Sequence, residues 1–593
     1  MSRPDLRERY AAERDKRLRP DGNAQYVEPT GRFASLLDDP YTPVAEREPI
    51  TEDLTVLVVG AGFAGLVHGA RLRQAGIDDF RLTDKAGDVG GVWYWNRYPG
   101  AACDTAAMIY LPLLEETGTV PSRKYVPAPE IHAHAKRIAT TFDLYDRALF
   151  HTGIESMTWD DDARRWIVVT DRGDRIRARF VITGTGPLSR PKLPAIEGLH
   201  DFAGPAFHTS RWDYSITGGS PEGDPMTELA GKRVGIIGTG ATAIQCIPGL
   251  ARDSGELYVF QRTPSSVDAR GNEDIDPDWF GELEPGWQQR WLTNFATLQT
   301  GGFADNDLVS DGWTDISNRI RDAVVAAMAE NPSITEEELE AAYLDVDDEK
   351  MDEIRARVEE IVADPATAEG LKPWYRQLCK RPCFSDVYLQ AYNEPTVHLV
   401  DTDGQGIHKV DETGVWVGDT HHRIDVLVIA SGFEFGTDVG KPGTMPIVGR
   451  DGRTLAEHWA DGMRTLHGIH SHGFPNLFVV GLTQAANLIS NITHNYVESS
   501  RTIAAVVSHA LATGATTVEV TAEAEEGWLE QLFNGARLFG NPDCTPGYYN
   551  NEGQPMGRKE RQNMAGYPGG AVAYFDYIDG WRTSGRFEGL AFA

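Results

Sequence analysis

The chain is poor in cysteine and poor in positive charge. Five cysteines in 593 residues are too few to staple a fold of this size. No CxxC pair occurs, which argues against a disulfide framework and a dithiol reductase. Cys379 and Cys383, in CKRPC, sit one residue too far apart for that motif and read as ordinary thiols of a reducing cytoplasm. Lys and Arg number 56 against 88 Asp and Glu, a net charge of −32. Such a surface repels nucleic acid and anionic lipid, so neither is expected as a partner. No apolar run reaches the ~18 residues of a membrane span. The opening MSRPDLRERYAAERDKRLRP lacks the apolar core of a secretory signal. The expected location is the cytoplasm. No metal site and no obligate protein partner is expected.

What is present is a globular composition, 41% apolar and 24% charged with 61 glycines, in a chain too long for one core. Residues 1–50 are charged and proline-spotted, with one helical piece over Leu6–Arg17, and read as an extension wrapped on the surface. Residues 51–195 open a first dinucleotide-binding domain with TVLVVGAGFAGLVHGARLRQAG, a strand, a glycine turn and a helix. RFVITGTGPLSRPKLPAIEG (179–198) is a strand running into a Gly/Pro-rich boundary. Residues 196–394 hold a second such unit, KRVGIIGTGATAIQCIPGLA followed by the strand ELYVFQRTP. A Trp- and Glu-rich helical insertion spans about 275–370. Residues 395–593 return to strands (VHLVD, GVWVG, DVLVIASGF, NLFVVGL) with a helix over Tyr496–Thr513. They read as the second part of the first domain and a C-terminal loop region. The fold class is α/β: two Rossmann-like dinucleotide-binding domains, for FAD and NADP, with a helical insertion.

Gly60, Gly62 and Gly65 form GxGxxG directly after a strand. That pattern permits a tight turn, close approach to a pyrophosphate and a helix N-terminus aimed at it. Asp84, at the end of the next strand, is placed to accept from a ribose hydroxyl. The second unit has Gly238, Gly240 and Ala243, but its next strand ends in Gln261-Arg262-Thr263 rather than in an acid. Arg262 and Thr263 suit a 2′-phosphate by charge and hydrogen bonding; the bland alternative is a surface arginine after a strand. Two dinucleotides in one chain suggest FAD in the first site and NADPH, as hydride donor, in the second. The strand DVLVIASGFEFG (425–436) is expected to close back against the flavin.

Between the two units lies FAGPAFHTSRWD (202–213), polar, aromatic and ill-suited to a core strand or an amphipathic helix. Its Phe202, Gly204, His208, Trp212 and Asp213 match the fingerprint FxGxxxHxxxW[PD], and here the chain resembles the type I Baeyer–Villiger monooxygenases. GVWYWNRYPGAACD fits a second family pattern through Gly91, Trp93, Tyr98, Pro99, Gly100 and Asp104. The resemblance covers roughly residues 50–500. RLRPDGNAQYVEP, KRPCFSD and CTPGYYNNEGQ resemble the group acting on large cyclic and polycyclic ketones.

The resemblance implies NADPH- and O2-dependent conversion of a ketone to an ester or lactone through a flavin C4a-peroxide. Arg381 matches the family's active-site arginine, Lys380 a residue that helps to bind the NADP phosphate, and Asp104 a carboxylate that orients the arginine. Anionic species in a dry pocket need a fixed cation, and arginine keeps its charge on burial where lysine loses it. The alternative for Arg381 and Asp104 is a buried interdomain salt bridge. For His208, a linker residue coupling cofactor binding to domain movement and a packed loop histidine are nearly the same expectation. Thr105-Ala106-Ala107 depart from the family pattern, which often has an acid and a serine there. The late tryptophan that contacts NADPH in relatives has no counterpart in NGARLFGNPDCTPGYYNNEG; Tyr548, Tyr549 or Asn550 are the substitutes to examine. Two other functions compete: a flavin monooxygenase oxidising nitrogen or sulfur, and an inactive flavin-binding interaction protein. The ending at Trp212-Asp213 and Arg381 favour ketone chemistry over the first; intact Arg381, Asp104 and both glycine turns weigh against the second.

Overall fold

The computed structural model of the protein describes residues 3–434, 445–481, 483–486, 490–533 and 543–593. The first sheet is centred on the strand Thr51–Val59, flanked in parallel by Phe80–Thr83 and Arg175–Thr183. Val56, Leu57 and Val58 are fully buried, because both faces of a parallel sheet are covered and side chains pointing either way must be apolar. An antiparallel pair, Ile154–Asp160 and Arg165–Thr170, extends one side. Two late strands, Ile447–Val448 and Leu477–Val479, complete it. The helices Phe63–Gln74 and Ile492–Thr513 contribute to the core on one face.

The second sheet has five parallel strands. Their order is Val397–Asp401, Glu256–Gln261, Arg233–Ile237, Val426–Ile429 and Ala206–His208. Two expectations are corrected here. The strand within 425–436, Val426–Ile429, lies in this sheet, between Arg233–Ile237 and Ala206–His208, and the turn after it, Ala430–Glu434, lines the cavity that contains the first glycine turn; residues 435 and 436 lie outside the described residues. Residues 397–429 therefore continue the second unit, and a division at 394/395 cuts through its sheet. An apolar run buried on both faces reads the same in either sheet, so the run alone does not reveal its neighbours. Likewise FAGPAFHTSRWD does supply a strand: Ala206–His208 forms the sheet edge, too short at three residues to show a period.

The insertion is helical, with Trp287–Gln299, Gly312–Glu330 and Glu336–Ile361 its longest members. Reciprocal capping boxes at Asp311/Thr314 and Thr335/Glu338 fix two of their starts. The N-terminal extension is more than a surface wrap. After the helix Arg3–Asp15, Tyr26–Val27 pairs with Leu193–Pro194, and Tyr10, Arg17, Phe33 and Leu36 are buried. Cysteine pairing also differs from expectation: Cys379 is bonded to Cys544, 165 residues away, while Cys383 is a free, buried thiol. No local motif announces a bridge between segments this distant. Among the described residues, no helix is long and apolar enough to cross a membrane and no metal-ligand cluster occurs.

Candidate active site

One cavity of about 1790 Å³ reaches from the first glycine turn to the second, with Asp104, Lys380 and Arg381 on its wall. Both turns fit a dinucleotide. Gly60 has φ +105°, and a Cβ there would come within 2.4 Å of the Gly184 carbonyl oxygen. Gly238 repeats this at φ +108°, where a Cβ would meet the Ala430 carbonyl at 2.8 Å. Only glycine combines that dihedral with that approach. Gly62 and Gly240 then start the helices Phe63–Gln74 and Ala241–Asp253, and no side chain caps either helix. Their first amides are left to an anion, the arrangement that receives a pyrophosphate. Gly65 and Ala243 sit on the buried faces of these helices.

Asp84 is half-buried, and desolvation pushes its pKa up. Its Oδ2 accepts from the Ala61 amide at 2.6 Å and its Oδ1 from the Ala86 amide at 2.9 Å. The carboxylate thus braces the first turn, and each oxygen retains a lone pair for a ribose hydroxyl. Gly91 (φ +57°) starts the short helix Val92–Trp95. Trp93 in that helix donates from Nε1 to the Tyr110 hydroxyl at 2.9 Å.

At the second turn, the Thr239 hydroxyl donates to the Thr263 carbonyl at 2.8 Å, and the buried Thr263 Oγ1 has no hydrogen-bond partner among the described residues. Arg262 hydrogen-bonds the Gln25 side chain from the N-terminal extension. Lys380 Nζ donates to the Pro546 carbonyl at 3.2 Å. Burial, with Arg262, Arg17 and Lys192 nearby, lowers its pKa to about 8.

Arg381 Nη2 donates to Asp104 Oδ1 at 2.5 Å. Asp104 is buried, whereas 39% of the Arg381 side chain remains accessible. Desolvation works against the guanidinium's charge, but Asp104, with Tyr548 and Tyr549 beside it, outweighs this and holds the pKa well above the ordinary arginine value. Trp313, near the start of its helix, supports the pair from the insertion. Its Nε1 donates to the Asp104 carbonyl at 3.1 Å, and its ring lies 5.3 Å from the Arg381 guanidinium, within cation–π range.

Of the linker stretch, Arg211 lines the cavity, whereas Phe202, Gly204, His208, Trp212 and Asp213 do not. Phe202 and Trp212 are buried, and Trp212 donates to the Thr217 hydroxyl at 3.1 Å. A Cβ on Gly204 would meet the Asp425 carbonyl at 2.6 Å. Asp213 caps the following turn through the Ser215 amide. His208 is fully buried, its Nδ1 accepts from the Ser210 amide at 3.1 Å, and burial lowers its pKa to about 3. It is a neutral packing residue at physiological pH. In the late segment, Tyr548 and Tyr549 line the cavity, while Asn550 is spent on its own loop, donating to the Cys544 carbonyl and accepting from the Gly547 amide. Residues 534–542 of that segment lie outside the described residues. Sequence reasoning singled out none of Trp313, Gln25, Lys192 and Glu552, all of them on the cavity wall; the last three lie within stretches quoted above but occupy no motif position there.

Residues 58–117 match the model of the NAD(P)-binding Rossmann-like domain. A Baeyer–Villiger monooxygenase of Streptomyces coelicolor is 47% identical over 593 residues, 99% of this chain and 96% of that one. The chain belongs to the Baeyer–Villiger monooxygenases. Among solved structures, the polycyclic ketone monooxygenase of Thermothelomyces thermophila superposes at a TM-score of 0.91 with 36% identity, covering 100% of this chain and 99% of that one. A complex of OTEMO with FAD and NADP matches at a TM-score of 0.72 and 27% identity, over 92% and 100% of the two chains. This Baeyer–Villiger monooxygenase is accordingly an FAD-containing, NADPH-dependent enzyme.

Proposed function

We propose that the enzyme inserts oxygen from O2 into large cyclic or polycyclic ketones, giving esters or lactones, with Arg381 and Asp104 as its working pair. The observation that carries this is the Arg381–Asp104 contact on the wall of the cavity that also contains both glycine turns. Bound FAD, reduced by NADPH, supplies the oxygen activation. The first glycine turn, Asp84, Gly91 and Trp93 would hold the flavin cofactor. The second turn with Arg262, Thr263 and Lys380 would hold NADPH, its 2′-phosphate on the cations.

The work left to the side chains is electrostatic. Attack on a carbonyl places negative charge on the ketone oxygen, and a guanidinium in a cavity of low dielectric stabilises that charge more than water does. Asp104 fixes the guanidinium from one side through Oδ1, and Trp313 faces it with its ring, so little reorganisation accompanies the reaction. The similarity to the polycyclic ketone monooxygenase favours a bulky substrate. Cyclic ketones of rising ring size and steroids, assayed with mass-spectrometric product identification, test this. Esters from the larger rings are expected. Oxidation of amines or thioethers alone, with no ketone converted, would overturn it.

A further inference from the structure

Glu552 lies where an anion from outside would be expected. Its side chain is 3% exposed, yet its carboxylate faces cations rather than solvent: Lys192 Nζ is 3.8 Å from Oε1, and Arg262 Nη2 is 3.8 Å from Oε2. Lys380 and Arg17 belong to the same electrostatic cluster. Arg17 is already paired with Glu13 at 2.7 Å, and among the described residues Glu552 is the carboxylate within 4 Å of both Lys192 and Arg262.

The contact is not a well-made salt bridge. Both separations exceed hydrogen-bond length, and the buried Oε2 has no hydrogen-bond partner among the described residues. A buried carboxylate held by distant cations alone recovers only part of its desolvation cost. Its backbone is held at cost too: Asn551 and Glu552 have φ +53° and +54°, a left-handed conformation uncommon outside glycine. The neighbours are tied down, Asn551 Oδ1 accepting from Asn23 at 2.9 Å and Gln554 donating to the Arg19 carbonyl at 2.7 Å. The segment therefore delivers one under-satisfied carboxylate into a cluster of cations, a few residues after Tyr548 and Tyr549 at Arg381.

We propose that Glu552 is a built-in competitor for the 2′-phosphate of NADPH, and that Lys192 is a further phosphate-binding residue. This rests on the assignment of Arg262 and Lys380 to that phosphate. A phosphate carries more charge and more acceptor oxygens than the carboxylate it would replace, and it makes the direct hydrogen bonds that Glu552 lacks. NADH has nothing to offer the cations in exchange and leaves Glu552 in place. The carboxylate balances the cluster while no phosphate is bound, sharpens discrimination against NADH, and weakens the hold on NADP+ so that it leaves.

Calorimetric titration of the FAD-loaded enzyme with NADP+, NAD+ and adenosine 2′,5′-bisphosphate tests this. Glu552→Gln keeps shape and hydrogen-bonding capacity but removes the charge. It is expected to tighten NADP+ and the bisphosphate by roughly tenfold, the worth of one charged contact, and to leave NAD+ within about twofold. Lys192→Met is expected to weaken NADP+ by a similar factor and NAD+ hardly at all. Unchanged or weaker NADP+ binding in Glu552→Gln, at normal flavin content and melting temperature, overturns the proposal. Should that variant not fold, unchanged NADP+ affinity in Lys192→Met overturns it instead. Arg262→Ala in the same series separates the two assignments: if it leaves the NADP+/NAD+ ratio untouched, the phosphate site itself is misplaced.

Discussion

Arg381 and Asp104 are 277 residues apart in the chain and 2.5 Å apart at their nearest atoms. The contact uses one guanidinium nitrogen, and the accessible remainder of the side chain faces the cavity. Arg381→Ala is expected to retain FAD, since the turn at Gly60–Gly65 is untouched, and to lose a factor of roughly 10²–10³ in ester formation. NADPH oxidation should continue weakly, with peroxide as product. Arg381→Lys should recover little, because the planar fork is lost. Ester formed per NADPH consumed, by gas chromatography against absorbance, is the deciding quantity. Near-normal yield and rate in the alanine variant would make Arg381 a structural residue.

Trp313→Phe keeps a ring near Arg381 but deletes the donor to the Asp104 carbonyl. A hydrogen bond of this kind is worth about 1 kcal/mol. Single-turnover ketone oxidation should slow roughly fivefold on that figure, with the KM for NADPH unchanged. A rise in that KM with no loss of rate would instead place Trp313 at the nicotinamide cofactor.

Arg262→Ala is expected to narrow the preference for NADPH over NADH by roughly 10- to 100-fold, the loss of one charge-assisted contact of about 1.5–3 kcal/mol. Steady-state kinetics with both cofactors measure it. Equal use of NADH by the unmodified enzyme would refute the assignment of this strand end.

Lys380 carries a pH signature. With its pKa lowered to about 8 by burial and neighbouring cations, it is protonated and attracts phosphate at pH 7. A bound phosphate raises that pKa, so NADP+ affinity should be full below pH 8 and decline as pH rises through 8 towards the bound-state value. Lys380→Met should bind more weakly at pH 7 and flatten the profile above it. A wild-type affinity that does not change between pH 7 and 10 contradicts this.

The Cys379–Cys544 bond spans 165 residues of sequence and ties the short 3-10 turn Gln377–Cys379, just before Lys380 and Arg381, to the segment bearing Tyr548 and Tyr549. Native disulfides typically contribute 2–4 kcal/mol. Cys379→Ser is expected to lower the temperature of flavin release by several degrees and to raise KM for NADPH. A melting curve identical with and without reductant would show that the bridge contributes nothing to stability.

The two cofactor turns were legible because their signals are local: strand, glycines and helix follow one another within about twenty residues. Arg262 and Thr263 stood out for the same reason, being the two residues that follow the next strand, Glu256–Gln261. Trp313 was not. It reads as one more aromatic in a helical insertion, and its role arises only when that helix start reaches Asp104. Glu552 was hidden in the same way, since its cationic neighbours come from three distant segments. The strand Val426–Ile429 was seen as a strand but assigned to the wrong sheet, because composition reports burial and not the identity of the neighbour.

Every strand of the second sheet lies between Ala206 and Asp401 or at Val426–Ile429, whereas the first sheet needs Ile447–Val448 and Leu477–Val479 to be complete. Proteins made on a ribosome usually fold N-terminal domain first. Here the strands of the second unit are complete earlier in the chain than those of the first. A nascent chain that has emerged through Ile429 holds the full set of strands for the second unit, while the first, begun earlier, still lacks two strands and the helix Ile492–Thr513. Premature termination in the last quarter of the message would thus release a chain able to build its pyridine-nucleotide half but not its flavin half.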